Sequence, residues 1–304
     1  MENKKIPRIL LALVLLIITV FVSQIYIKLV FGKNQTATTL TQLSAQGSRQ
    51  MMGYIIKTNN NKIIVIDGGT VEDTQNLINH INNLEGKVDY WFITHAHDDH
   101  AGAFTEIVEQ TDIQIDNIYV SLNEYSWYEE NEESRKEFSK KLIDILNDEE
   151  IYNKVKEPKI NDVIQIDNIQ VEVLGIKNPE ITEENAGNEQ SMVLKIDTQK
   201  NTFLILGDIG IKASEKLIIT QKDKLKSDIV QMSHHGQNGA TEELYKIINP
   251  QVCLWPCPEW LWNNDSGEGV NTGPWKTLET RGWIENLKIK ENYVAKDGDI
   301  TINI

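Results

Sequence analysis

Short apolar runs separated by turn residues recur along most of the chain. MMGYIIK (51–57) and KIIVIDGG (62–69) flank an Asn-rich turn at 59–61 and predict a β-hairpin. Residues 71–84 carry Leu77, Ile78, Ile81 and Leu84 at the spacing of one helical face. VDYWFIT (88–94) is apolar at successive positions, as expected of a strand covered on both sides. A short helix over 103–110, a strand IDNIYVS (115–121) and an amphipathic helix over 132–147 come next, the last with Phe138, Leu142, Ile145 and Leu146 on one face. DVIQID and IQVEVLGI alternate around the turn Asp167-Asn168, and SMVLKID with TFLILGD predicts a second hairpin. A helix over 213–219, the strand DIVQMS, a helix over 241–248, the strand VCLW, a Trp- and Gly-rich loop (259–274), a last helix and the strand DITINI complete the pattern. Hairpin, strand and helix thus follow one another twice. The order predicts an α/β fold of the α+β kind, a four-layer αββα sandwich, rather than a doubly wound parallel sheet.

The beginning of the chain follows different rules. Ile9 to Val22 is uncharged, and the apolar character continues past Ser23 and Gln24 to Ile27, about the 20 residues that a membrane-spanning helix needs. Lys4, Lys5 and Arg8 precede it, which keeps the short N-terminus in the cytoplasm and sends the rest outward. Three regions are expected: 1–33 as cytoplasmic tip and single-pass anchor, 34–50 (NQTATTLTQLSAQGSRQ) as a polar tether, and 51–304 as the folded extracellular domain. A cleaved signal peptide is the competing reading; no small-x-small cleavage site follows the apolar stretch.

Charge narrows the partners. Thirty Lys and Arg stand against 45 Asp and Glu, a net charge of -15. Such a body repels polyanions and has no basic stripe for tight nonspecific nucleic-acid binding. The two cysteines, Cys253 and Cys257 in CLWPC, are either a small disulfide or a pair of buried thiols.

Five of the six histidines stand at the ends of predicted strands. FITHAHDDHAGAF (92–104) holds three of them within six residues. His95 and His97, two apart in an extended segment, project to one side and suit a shared metal ion. Asp99 and His100 point to a second ion nearby. Ala101, Gly102 and Ala103 are small enough to let a helix N-terminus approach those ions. His234 and His235 stand in QMSHHGQNG, and FLILGDIG delivers Asp208, whose carboxylate offers one oxygen to each of two cations. His80, in LINHINN, reads as a solvated helix residue.

The box His95-Ala96-His97-Asp98-Asp99-His100 resembles the HxHxDH signature of the metallo-β-lactamase-like hydrolases, and IIVIDGG, LILGDIG and MSHHGQ resemble that family's other motifs in order. The resemblance spans about Met51 to Trp255. It implies two divalent metal ions, zinc in the first place with manganese or iron as alternatives. His95, His97 and Asp208 would hold one ion; Asp99, His100, Asp208 and one of His234 or His235 the other. His234 is the preferred ligand, which leaves His235, with Asp99, to the catalytic proton chemistry. A hydroxide between the ions is the implied nucleophile. Asp67 corresponds to the first-motif Asp and would orient a ligand from behind. Many members carry a further histidine between the box and the bridging Asp, yet none occurs here between His100 and His234. GNEQSMVLKI (187–196) stands there instead, similar to the N-x-x-S strand start of a branch that includes the hydrolase domain of the DNA-uptake competence channel protein and the choline-phosphate esterases of teichoic acids. Asn188 and Ser191 would then border the first ion.

The expected activity is a membrane-tethered, extracellular phosphoester or phosphodiester hydrolase acting on a small-molecule or cell-envelope substrate. Tyr125, Trp127 and Tyr128, with Trp255, Trp260, Trp262 and Trp275, are candidates for a substrate wall that stacks on a ring or encloses a quaternary ammonium. A nuclease, and a lactone or β-lactam hydrolase, are the alternatives. A non-enzymatic scaffold is disfavoured by the intact box.

Overall fold

The computed structural model describes residues 17–23, 37–183 and 185–304. The chain divides into two compact units, Met1–Thr36 and Ala37–Ile304. Of the first unit, residues 17–23 are helical with exposed apolar side chains, Ile17 and Phe21 among them. Among the described residues no helix is long and apolar enough to cross a membrane. The expected anchor lies for the most part outside the described residues.

Two seven-stranded sheets build the second unit. The first runs in the order Ile300–Asn303, Thr39–Gln42, Gly53–Lys57, Ile63–Asp67, Tyr90–Ile93, Ile118–Val120, Val155–Lys156. The second runs Glu291–Val294, Val252–Trp255, Ile229–Gln231, Thr202–Ile205, Val193–Asp197, Ile169–Gly175, Val163–Ile166. Each strand's period of two sorts its side chains onto two faces. Ile64 and Ile66 point to the core between the sheets, where they join Tyr54, Phe92, Val171, Leu194 and Phe203. Ile63 and Val65 point the other way, under the helices Thr74–Leu84, Asp98–Gln110 and Lys136–Leu146. Leu204 and Leu206 do the same in the second sheet, beneath Ile211–Gln221 and Glu242–Ile248. The result is the expected four layers, helix, sheet, sheet, helix.

Three expectations need correction. Residues 37–50 are not a tether. Thr39–Gln42 pairs with Ile300–Asn303 on one side and with Gly53–Lys57 on the other, and Leu40 is buried between the sheets. Its polar sequence hides a strand whose partner lies some 260 positions away (Thr41 with Thr301). Second, the helix placed at 103–110 begins at Asp98, so Asp99 and His100 stand on its first turn. Asp98 and Asp99 there are favoured by the positive end of the helix dipole. Third, Gly102 serves packing rather than the ions: a Cβ there would lie 2.8–2.9 Å from the backbone of Thr70 and Val71. The contact lets the helix dock on the loop, as the Ala103 N–H bond to the Gly69 carbonyl (3.0 Å) shows.

Candidate metal centre

The carboxyl ends of two neighbouring parallel pairs, Ile63–Asp67 with Tyr90–Ile93 in the first sheet and Thr202–Ile205 with Ile229–Gln231 in the second, feed the loops that carry the predicted residues. That is where open sheets with parallel neighbours place their ligands. The imidazoles of His95 and His97 are 4.3 Å apart, those of His95 and His100 4.2 Å, and those of His100 and His235 5.2 Å. Asp208 Oδ2 lies 3.1 Å from His100 Nε2 and 3.4 Å from His235 Nε2, while Asp99 Oδ2 lies 3.5 Å from His235 Nε2. Two overlapping groups emerge with metal-ligand spacing, His95 with His100 and Asp208, and Asp99 with His100 and His235.

Behind each ring stands a partner that fixes its proton. Asp67 accepts at Oδ1 from the Thr94 N–H (2.7 Å) and at Oδ2 from both the Thr94 hydroxyl (2.7 Å) and His100 Nδ1 (2.7 Å). The same Thr94 oxygen lies 3.0 Å from His95 Nδ1, so one carboxylate orients two histidines, one directly and one through a hydroxyl. His235 Nδ1 donates to the Pro256 carbonyl at 2.8 Å. Ser191 accepts from the Asp208 N–H (2.9 Å) and sits 3.2 Å from His95 Nδ1. With Nδ1 taken, Nε2 of His95, His100 and His235 is left facing the cluster.

These three Nε2 atoms and Asp208 Oδ1 are buried and have no hydrogen-bond partner. Buried polar atoms rarely stay unpaired, because each costs roughly 1–3 kcal/mol. Four at one point are what divalent cations would satisfy, and the nitrogen and oxygen donors suit zinc, iron or manganese. The residues present therefore fit a metal centre.

Electrostatics of the metal-free cluster follow from the same geometry. Burial and its histidine neighbours hold His95 well below the usual imidazole range, hence neutral. Burial acts on His100 in the same direction, but Asp208 and Asp67 on either side outweigh it and hold the proton well above the ordinary value. His235 is pushed up to about 9: burial works against the proton, and Asp208 and Asp99 prevail. Asp99 and Asp208 remain ionised despite burial because those cationic rings face them.

His234 and His235 exchange the roles that the sequence suggests. Both adopt left-handed backbone (φ 50° and 57°), and Gly236 follows at φ 84°. That turn sends His235 inward and His234 to the rim, where its Nδ1 meets the Asn238 carbonyl (3.1 Å) and its Nε2 the Asn188 amide (3.1 Å). His235 thus joins the ligand group and His234 stays out of it. His97 also lies outside both groups; its Nε2 contacts Glu132 at 2.5 Å. Asp67, a third left-handed residue (φ 56°), adds to a cluster of strained backbone at this edge.

A cavity of about 590 Å³ opens over the cluster and is lined by Asp99, His234, Arg49, Arg135, Trp260 and Trp275, among others. Arg49 and Arg135 each meet Asp98 at 2.5 Å, and Arg135 lies 3.3 Å from Asp99. Sequence reasoning missed both arginines and Glu132, because nothing near them in the chain marks them. Of the aromatics, only Trp260 and Trp275 reach the cavity. Trp255 and Tyr128 are core residues, Trp127 donates to the Pro179 carbonyl, and Trp262 stacks on Arg281. Cys253 and Cys257 are free, buried thiols, the first pushed up to about 12 by burial.

Residues 52–250 match the family described as the metallo-β-lactamase superfamily. The chain belongs to the metallo-β-lactamase superfamily. Members are metallo-hydrolases, in keeping with the donor set above. Within this superfamily the chain is 30% identical over 101 residues to ComE operon protein 3 of Bacillus subtilis, covering 33% of this chain and 12% of that protein. It is 32% identical over 69 residues to the uncharacterized protein YcaI of Escherichia coli, covering 22% and 9%. The matches span only about a tenth of the length of these relatives. Solved structures of similar fold include the metallo-β-lactamase fold protein YhfI of Bacillus subtilis, with TM-score 0.53, 12% identity and coverage of 88% of this chain and 100% of that one. Unliganded yeast PDE1 gives 0.52 at 12% identity, with coverage of 88% and 100%. CmlA, a diiron β-hydroxylase from Streptomyces venezuelae, gives 0.50 at 11%, with coverage of 88% and 54%. At such identities these structures share the fold alone.

Proposed function

We propose that this metallo-hydrolase cleaves phosphoesters, and phosphodiesters in particular. The observation that carries the reading is the pair of guanidinium groups, Arg49 and Arg135, beside the His and Asp cluster in a chain of net charge -15. An acidic body that gathers two arginines at the mouth of a metal site is built for an anionic substrate. A lactone carries no anionic group for two such forks and a β-lactam offers a single carboxylate, whereas a phosphodiester presents its charge at the reacting centre itself.

His95, His100 and Asp208 would hold one divalent ion, and Asp99, His100 and His235 the other, with His97 adjoining the first. Such ions supply Lewis acidity, which polarises a phosphoryl oxygen and lowers the proton affinity of water. Asp67 keeps His100 and, through Thr94, His95 in the orientation that leaves Nε2 free. Arg49 and Arg135 turn from Asp98 to the non-bridging oxygens of the substrate. His234, neutral and half-buried on the rim, stands where a leaving group would depart, its Nε2 shared with Asn188. Trp260 and Trp275 line the same cavity and would contact the organic part of the substrate. The reading extends to location: the charge pattern Lys4, Lys5, Arg8 before the apolar stretch supports an anchored protein whose site faces a cell-envelope phosphodiester.

Full-length protein loaded with Zn²⁺ or Mn²⁺ is to be assayed on bis-p-nitrophenyl phosphate, p-nitrophenyl phosphocholine, single-stranded and plasmid DNA, and a chromogenic β-lactam. Metal-dependent turnover of the phosphodiesters is expected, with kcat/KM lowered about 10- to 100-fold by Arg49→Ala, the value of one or two charge-assisted hydrogen bonds. Turnover of the β-lactam alone, or indifference to Arg49→Ala, would overturn the reading. Preference for DNA over the small esters would transfer it to the nuclease alternative, which the resemblance of GNEQS and SHHG to the competence-protein branch raises.

A further inference from the structure

The connection between the helices Tyr125–Asn131 and Lys136–Leu146 brings two side chains to the box, Arg135 and Glu132. Glu132 Oε1 lies 2.5 Å from His97 Nε2, and the two side chains are only 10% and 5% exposed. Its other oxygen, Oε2, is buried without a hydrogen-bond partner. The room for this carboxylate comes from Gly187. A Cβ at that position would stand 2.0 Å from Oε1 and 2.1 Å from Oε2. Gly187 has φ -61°, a conformation open to any residue, so the neighbouring acid rather than the backbone calls for glycine there. The glycine opens the GNEQS segment that stands where many superfamily members carry another histidine, and thus ties that segment to the box.

The other three rings of the cluster present Nε2 to one another because Nδ1 is engaged, by Thr94 in His95, by Asp67 in His100 and by the Pro256 carbonyl in His235. His97 is engaged at the opposite nitrogen. We infer that Glu132 is a positioning residue: it holds the His97 proton at Nε2, so that Nδ1 is the atom His97 offers to the first ion. The inference rests on the metal-centre reading above. It adds a residue from the helical insertion that belongs to none of the motifs shared with the superfamily. A carboxylate in this place orients the ring and raises its basicity, and loss of such a partner costs about 10- to 100-fold in metal affinity.

The test compares full-length wild type, Glu132→Gln, Gly187→Ala and His97→Ala by Zn²⁺ titration against a chromophoric chelator, with melting of the metal-free proteins alongside. Glu132→Gln keeps the shape and removes the charge; Gly187→Ala keeps the charge and displaces it. Both are expected to weaken one of the two ions about 10- to 100-fold and to leave the other unchanged. Adding Glu132→Gln to His97→Ala should cost no further affinity, because the two act as one unit. Wild-type affinity in both single variants, with or without a loss of melting temperature, would overturn the assignment while leaving the metal centre standing. Failure of the wild type to bind any metal would overturn both.

Discussion

Replacement of Asp67 by Asn isolates one carboxylate charge. The left-handed backbone at φ 56° suits Asp and Asn alike, so the turn survives. In the variant the amide oxygen still accepts from the Thr94 N–H, but the amide nitrogen must face the Thr94 hydroxyl and His100 Nδ1. A donor then meets a donor across 2.7 Å. His100 relieves the clash by giving up its Nδ1 proton and keeping the one on Nε2, the atom that faces the cluster, and His95 loses the anchor that it reaches through Thr94. The charge-assisted bond from His100 is worth about 1.5–3 kcal/mol. At about 1.4 kcal/mol per factor of ten, that is about a 10- to 100-fold loss of metal affinity. Chelator competition reads the affinity directly, and circular dichroism confirms the fold. Asp67→Ala should lose as much affinity and melt lower still, since alanine pays a further 1–2 kcal/mol, roughly, for left-handed backbone. If Asp67→Asn binds metal within twofold of wild type, Asp67 does not act through the histidines and the reasoning fails.

Three further outcomes follow from the geometry. His235→Ala should remove one ion from the stoichiometry measured by mass spectrometry, whereas His234→Ala should retain both and lose turnover; the reverse pattern would restore the assignment that the sequence suggests. The rise in melting temperature on adding Zn²⁺ should grow between pH 6.5 and about 9. His235 is raised toward about 9 in the metal-free protein, so its stabilising proton is fully in place below 6.5 and is lost as pH climbs through 9, while metal binding requires that same proton to leave. A metal-induced shift that stays flat or shrinks over that window would count against His235 as a ligand. Gly236→Ala should cost at least about 2 kcal/mol in denaturant unfolding, since φ is 84° and a Cβ would lie 2.4 Å from the buried Trp255 ring; unchanged stability would show that the turn is laxer than described.

Much of this centre is visible in the chain itself, because each motif sits at the end of a strand that its own apolar pattern announces. IIVID, YWFI and TFLI announce themselves as continuous apolar runs, and the four layers follow from alternation of such runs with helical ones. What stays hidden depends on distant pairing or on backbone handedness. Thr39–Gln42 is too polar to read as a strand until Ile300–Asn303 lies beside it, and Glu291–Val294, with Tyr293 packed on one face and Val294 buried on the other, gives no alternation to detect. The choice between His234 and His235 turns on two successive positive φ angles that no residue preference signals. Arg49, Glu132 and Arg135 reach the box only through folding, from segments 49, 35 and 36 or 37 positions away from their partners there.

The central claim is that two segments more than a hundred residues apart converge on a pair of divalent ions. Anomalous diffraction from crystals of the full chain soaked with Zn²⁺ tests it most directly. Two peaks are expected, one against His95, His100 and Asp208 and one against Asp99, His100 and His235. Peaks bound elsewhere, or none at this cluster, would contradict it.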